Sequence, residues 1–250
     1  MYLYPMEDNY QIFGIRAVME AIQSGKSIDK VFIQKGLQSN LFQQLHTLLK
    51  QHEISSSYVP VEKLNRLTKN NHQGVVANIA PIAFYDLDAL VTQTLASDVT
   101  PLFLLLDQLS DVRNFGAIIR TAECCGVHGI IIQRKGSASV TADTVKTSAG
   151  AVFRVPICKV DHIKDAVFHM QASGIQVVAA TEKTDSDIYS VNLTTPTAIV
   201  MGSEDVGIAP SVLKAVDQKA KLPLLGEIGS LNVSVACGVF LYETLRQRMS

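Results

Sequence analysis

The sequence predicts an α/β protein, a small α/β module followed by a larger domain with a mostly parallel sheet. Three observations carry this. Short apolar runs alternate with segments of helical periodicity along the chain. The run PLFLLLD, residues 101–107, is continuously apolar, as a strand covered on both faces must be. The turns after several apolar runs combine glycine with small polar or charged residues, which suits the carboxyl ends of strands in an open parallel sheet.

The elements follow in order. Residues 12–21 (IFGIRAVMEA) have helical spacing and meet a stop at Ser24-Gly25. Residues 31–33 read as a short strand. Residues 40–51 read as an amphipathic helix with Leu41, Leu45, Leu48 and Leu49 on one face. Residues 54–59 form a weak strand, residues 60–67 a short helix opened by Pro60, and residues 74–79 (GVVANI) a strand. These make up a first domain, residues 1–82. Residues 83–98 read as a linker carrying one short helix. The second domain, residues 99–250, begins with the strand PLFLLLD. A helix over 114–126 follows, then a strand over 129–133, helices over 142–149 and 161–173, and a strand over 175–180. Residues 197–201 (TAIVM) read as a strand, 210–216 as a short helix, 220–222 as a short strand and 232–248 as the closing helix.

Composition bounds the function. Of 250 residues, 47% are hydrophobic, enough for a sizeable core. No run reaches the roughly 18 apolar residues of a membrane helix, and the start MYLYPMEDNY has neither the basic nor the apolar region of a signal peptide. The expected location is the cytoplasm. Cys124, Cys125, Cys158 and Cys237 lack any Cys-x-x-Cys spacing, so they read as reduced, mostly buried thiols rather than a zinc site or a disulfide framework. The net charge is −1. Residues 1–97 hold eight Lys/Arg against eight Asp/Glu, and residues 98–250 hold fourteen against fifteen. Bulk charge thus gives no support to nucleic-acid binding, which must rest on local features.

Three strand ends concentrate those features: QLSDVRNFGAIIRTAE after residue 107, GSEDVGIAP after residue 201, and LGEIGSLN after residue 224. None is a dinucleotide fingerprint, since no G-x-G-x-x-G follows a strand, and GSEDVG lacks the Gly-Lys-Ser/Thr of a P-loop. Asn114 can cap the helix after it or present its amide to a ligand. Arg120 lies in the apolar run AIIRTAE, where a buried guanidinium needs a partner: Glu123, Glu204 or a phosphate. Glu204 can favour a helix start and Ser230 can cap one. Asn232, between Leu231 and Val233, is a poor interior helix residue and asks for a role. The six histidines show no ligand spacing. NNHQG, residues 70–74, follows Lys63, Arg66 and Lys69, the best local basic patch of the first half, and reads either as a solvated helix end or as a weak candidate for nucleic-acid contact.

Taken together, these stretches resemble the SpoU (TrmH-like) branch of the SPOUT RNA methyltransferases. NFGAIIR, residues 114–120, is similar to the family's first motif, Asn-x-Gly-x-x-x-Arg. IVMGSEDVGI, residues 199–208, resembles the second, although Ser203 and Asp205 stand where small residues or glycine are common. LPLLGEIGSLNVSVACGV, residues 222–239, resembles the third. FGIRAVMEAI and NNHQGVVANI resemble the ribosomal-protein-L30e-like substrate-binding module of the 23S rRNA guanosine-2′-O-methyltransferase subgroup. The resemblance implies a trefoil-knotted catalytic domain, a homodimer through its closing helix, S-adenosyl-L-methionine as cofactor, and RNA, 23S rRNA first, as partner. It implies Asn114, Arg120, Glu204, Ser230 and Asn232 as the catalytic set, and Thr181, Gly202, Leu222 and Leu231 as cofactor contacts. It implies no metal. The reaction would be 2′-O-ribose methylation; methylation of tRNA and a catalytically silent RNA-binding or ribosome-assembly factor are the alternatives.

Overall fold

A computed structural model describes residues 11–249. The opening MYLYPMEDNY, read above for a targeting signal, lies outside them. The chain divides into two compact units, one of residues up to 83 with 139–142, the other of residues 84–138 with 143–250.

The first unit runs β1 (Gln11–Phe13), α1 (Ile15–Gln23), β2 (Ile28–Gln34), α2 (Asn40–Gln51), β3 (Ser56–Val59), α3 (Val61–Leu67) and β4 (Val75–Ile79). Its sheet has the order β1-β4-β2-β3, with β4 antiparallel to β1 and β2, and β2 parallel to β3. The single helix expected over residues 12–21 is corrected here. Ile12 and Phe13 pair with Ala77 and Val76 instead. Gly14 then turns the chain at φ 90°, a left-handed value that glycine adopts without strain, and the helix starts at Ile15. Helices α1 and α2 bury Ile15, Val18, Ile22, Leu45 and Leu49 against Val31, Ile33, Val75 and Ala77. α3 buries Leu64 beside Val59 and Val76.

The second unit runs α4 (Leu87–Leu95), β5 (Leu102–Leu106), α5 (Val112–Cys124), β6 (Gly129–Gln133), α6 (Ala142–Thr147), β7 (Ile157–Val160), α7 (Ile163–Ala172), β8 (Gln176–Ala180), β9 (Thr197–Met201), α8 (Pro210–Leu213), β10 (Gln218–Ala220) and α9 (Val233–Met249). The sheet order is β10-β8-β9-β5-β6-β7 and every pairing is parallel. All five residues of β5 are buried, which explains its unbroken apolar run. Each such leucine contributes about 1.5–3 kcal/mol by leaving water. β7 escaped the sequence reading: at four residues, ICKV, it has too few positions to establish a period. Leu90 and Val91 of α4 sit in one core with Phe103, Ile131, Val167 and Val200. Among the described residues no helix is long and apolar enough to cross a membrane.

Parallel register decides where the loops emerge. Leu106 pairs with Met201, Ala179 with Val200, and Ala220 with Ala180. The residues that follow, Asp107, Gly202, Thr181 and Lys221, therefore leave the sheet at the same edge, the carboxyl edge at which ligands bind in such sheets.

Candidate active site

At that edge a cleft of about 570 Å³ opens between the loops after β8, β9 and β10 and the start of α9. Thr181, Gly202, Leu222 and Leu231 all line it, as do Glu204, Ser230 and Asn232. Asn114 is joined to it through Asn232. Arg120 is not on its wall.

The loop after β9 is folded tightly. A Cβ on Gly202 would overlap the backbone of Gly207 and Ile208, so only glycine lets residues 203–207 close back onto the strand end. Ser203 and Gly207 are bridged, and Gly207 itself has φ 71°. The base of the loop is tied at both ends by one residue. The N–H of Asp107 donates to Met201 O at 2.8 Å, and Asp107 Oδ2 accepts from the Ala209 N–H at 2.7 Å. Asp107 is only 1% exposed, and its Oδ1 has no hydrogen-bond partner among the described residues. Burial raises its pKa, opposed by the Ala209 bond.

The loop so held carries Glu204 to the mouth of α9. Glu204 Oε1 accepts from Asn232 Nδ2 at 2.6 Å and from the Val233 N–H at 3.4 Å. The same Nδ2 donates to Asn114 Oδ1 at 3.0 Å. Asn232 Oδ1 accepts from the N–H groups of Ser234, at 2.9 Å, and Val235, at 3.4 Å. Asn232 is thus the N-cap of α9, outside the helix rather than inside it, and simultaneously the centre of a polar chain from α5 to the β9 loop. The capping role weighed for Ser230 falls to Asn232.

The capping reading of Asn114 is likewise corrected. α5 begins at Val112, and Asp111 caps it by accepting from the Asn114 N–H at 2.8 Å. An aspartate three residues upstream satisfies the orphan donor, which frees the Asn114 side chain to meet Asn232. Gly116, the glycine of the same motif, is required by packing: a Cβ there would overlap the Thr147 side chain of α6. Arg120 is exposed and has no hydrogen-bond or ion-pair partner among the described residues. The apolar run misled on this point, because helical rotation buries Ile118, Ile119 and Ala122 while turning Arg120 outward. Neither Glu123 nor Glu204 pairs with it; Glu123 faces Arg154 at 3.4 Å.

The cleft wall includes residues that sequence reasoning missed. Glu182, Lys183, Ala220 and Phe240 line it, and the signal for the first two was their place just past a strand end. No histidine lines it. Burial pushes the Cys125 thiol up to about 11 and Cys158 up to about 12, so neither is a thiolate at neutral pH. Among the described residues no group of three His, Cys, Asp or Glu side chains is placed to hold a metal.

The SpoU rRNA Methylase family matches over residues 101–242, which spans the whole cleft. The chain belongs to the SpoU rRNA methylase family. Its first unit matches the RNA 2′-O ribose methyltransferase substrate-binding family over residues 11–85. A relative from Bacillus subtilis (strain 168), named as the TrmH family tRNA/rRNA methyltransferase YacO, is 34% identical over 95% of both chains. The SpoU methyltransferase AviRb from Streptomyces viridochromogenes, solved with AdoMet, superimposes with a TM-score of 0.60 at 26% identity, covering 96% of this chain and 90% of that one. The A. aeolicus TrmH/SpoU tRNA modifying enzyme gives a TM-score of 0.56 at 30% identity, covering 65% of this chain and 82% of that one.

This SpoU protein is therefore an RNA methyltransferase, of a family that methylates ribose 2′-oxygens with S-adenosylmethionine, and its first unit is an RNA substrate-binding domain. The residues fit that cofactor. Cleft volume is in the range of small-molecule sites. Ala220, Leu222, Leu231 and Phe240 offer apolar wall for an adenine and an aliphatic chain, and Gly202 offers bare backbone. Glu182, Glu204 and Asp205 offer negative charge to a molecule that is cationic at sulfur and at its amino group. The parallel sheet and its loop connections are consistent with the family's knotted domain.

Proposed function

We propose that this chain methylates the 2′-hydroxyl of a guanosine in 23S rRNA, working as a cytoplasmic homodimer. The observation that carries the reading is the hydrogen-bonded chain Asn114–Asn232–Glu204 at the mouth of the cleft, which joins all three motifs at one point. Bound in the cleft, S-adenosylmethionine supplies an electrophilic methyl carbon on a positively charged sulfur. Thr181, Gly202, Leu222 and Leu231 hold it.

The chain's own residues do the rest by placement. Glu204 fixes the rotamer of Asn232, and Asn232 with Ser230 orients the ribose hydroxyl at the cleft mouth. Arg120 clamps the adjoining phosphate and offsets charge that grows on the 2′-oxygen. Its guanidinium stays protonated, so it serves as a clamp and not as a base. An exposed, unpaired arginine six residues beyond Asn114 on the same helix suits a group that waits for substrate.

Two features support the finer parts of the reading. Val235, Val239 and Tyr242, spaced i, i+4 and i+7 on α9, are 53%, 36% and 55% exposed, an apolar stripe that a second copy would cover. The A. aeolicus tRNA modifying enzyme covers 65% of this chain, so about a third of this chain has no counterpart in that tRNA enzyme. The test is transfer of labelled methyl from S-adenosylmethionine to undermodified 23S rRNA, 16S rRNA and tRNA side by side, with Asn232→Ala as control. Label in 23S rRNA alone, lost in the variant, is the expected result. Label in tRNA alone would overturn the substrate; label in neither, with no cofactor binding, would leave an RNA-binding protein without activity.

A further inference from the structure

The cleft at the sheet edge absorbs the three motifs of the second unit and leaves one sequence feature unused, the stretch after α3. There Asn65, Thr68, Lys69, Asn70, Asn71 and His72 line a second cleft, again of about 570 Å³. His72 in it is not a freely solvated ring. Its Nδ1 accepts from the Gly74 N–H at 3.0 Å. A nitrogen that accepts carries no proton, so the proton of the neutral ring is on Nε2, which donates to Asn65 Oδ1 at 2.9 Å. The ring is pinned at both ends, and the bond fixes Asn65 with its amide NH₂ still unspent. Thr68 Oγ1 accepts from the Asn70 N–H at 3.2 Å, which leaves its hydroxyl proton to donate. The side chains of Lys69, Asn70 and Asn71 have no hydrogen-bond or ion-pair partner among the described residues. No carboxylate lines the cleft.

We infer that this cleft receives an unpaired base of the RNA substrate, with Lys69 on a neighbouring phosphate. The inference rests on the reading that the chain methylates RNA, and it names where the first unit grips it. Side-chain amides present a donor and an acceptor side by side, the pattern that matches the polar edges of nucleobases. RNA is read in sequence chiefly through loops and bulges whose bases are splayed out, so a pocket of amides is what such a base needs. A site for phosphate alone would call for more donors and more cations than one lysine. The chain's net charge of −1 gives no general attraction to RNA, so recognition must be local, and the first unit is the part matched as substrate-binding.

The test uses the full chain and two probes, 23S rRNA and tRNA transcribed in vitro. RNA affinity is measured across a salt series, and methyl transfer is measured as KM for RNA and kcat. Asn70→Ala and Asn71→Ala are expected to weaken RNA binding about tenfold each, without changing the slope of log affinity against log salt. Lys69→Ala is expected to weaken binding and to reduce that slope by about one. Affinity for S-adenosylmethionine and kcat at saturating RNA should stay at the wild-type level. Unchanged RNA affinity in the variant carrying all three substitutions overturns the inference. So does a loss of RNA affinity that comes with an equal loss of cofactor affinity, which marks damage to the fold. A wild-type chain that binds RNA through these residues but methylates none would instead overturn the function proposed above.

Discussion

Asn232 Nδ2 and Glu204 Oε1 stand 2.6 Å apart, although 28 positions separate them in the chain. The contact is charge-assisted, and it locks the one amide that both caps α9 and reaches Asn114. Glu204→Ala removes the acceptor and leaves Asn232 free to rotate. A hydrogen bond to a charged group is worth about 1.5–3 kcal/mol, so kcat should fall about 10- to 100-fold. Glu204→Gln keeps an acceptor oxygen and should lose less. Single-turnover methyl transfer at saturating cofactor distinguishes the two.

Asn232→Asp separates the two roles of that side chain. An aspartate there still accepts from Ser234 and Val235 and so keeps the cap, but it loses the donor and sets a second carboxylate against Glu204. Two carboxylates at such a distance share a proton, which raises one pKa. Activity should be low at neutral pH and recover in part as pH falls, because the protonated pair restores a donor. A pH–rate profile that stays flat on the acid side would show that the Glu204 contact does not govern turnover.

Asp107 offers a linkage test. Its carboxyl is raised in the fold by burial, so the native state holds a proton that the unfolded chain gives up sooner. The corresponding stability is fully present below the unfolded carboxylate value, near pH 4, and is lost as pH rises through the higher folded value. Asp107→Asn keeps an oxygen for the Ala209 N–H and cannot ionise. It should match the wild type at about pH 3.5 and exceed it in stability at pH 7, as read by urea denaturation at each pH. Asp107→Ala frees one end of the loop that carries Glu204 and should lower kcat. That loss should largely vanish in a Glu204→Ala background, the non-additivity expected if Asp107 acts through the loop.

Arg248 closes the other end of α9. Its guanidinium is half-buried and donates to four carbonyl oxygens, those of Thr100, Pro101, Leu193 and Thr195, at 2.8–3.0 Å. Arg248→Met would take the donor from the Thr100 and Leu193 carbonyls and one of two donors from those of Pro101 and Thr195, which also accept from Thr197. A loss of about 2–4 kcal/mol is expected in chemical denaturation. Arg248→Lys should recover only part of it, since one ammonium cannot reproduce the planar fork.

How much of this was legible in the residues differs from element to element. The run LFLLL read as a buried strand because burial on both faces leaves no polar position to confuse the pattern. TAIVM was placed at its observed bounds for the same reason. The three motifs were legible as polar, glycine-rich breaks between such runs. Ile12 and Phe13 were misread because two strand residues ahead of an amphipathic helix continue its apolar spacing; the pairing with Ala77 and Val76 that decides the matter is remote in sequence. Arg120 was misread as a burial problem because one-dimensional neighbours hide helical rotation. Asn114 was open to either a cap or a ligand contact, and the cap is already filled by Asp111, since both residues are good caps and only backbone angles choose between them.

The sequence by itself therefore determined the class of the protein, most of its elements in order and the polar, glycine-bearing breaks that line the cleft, because local periodicity and residue chemistry are written in the chain. Only the tertiary structure decided that Asn114, Glu204 and Asn232 are one hydrogen-bonded unit, that Asp107 holds the loop beneath them, and that Gly116 and Gly202 are required by close packing. Apart from the tight loop at Gly202, those are contacts between segments tens of residues apart, and neither periodicity nor spacing along the chain encodes which strand ends and helices will meet.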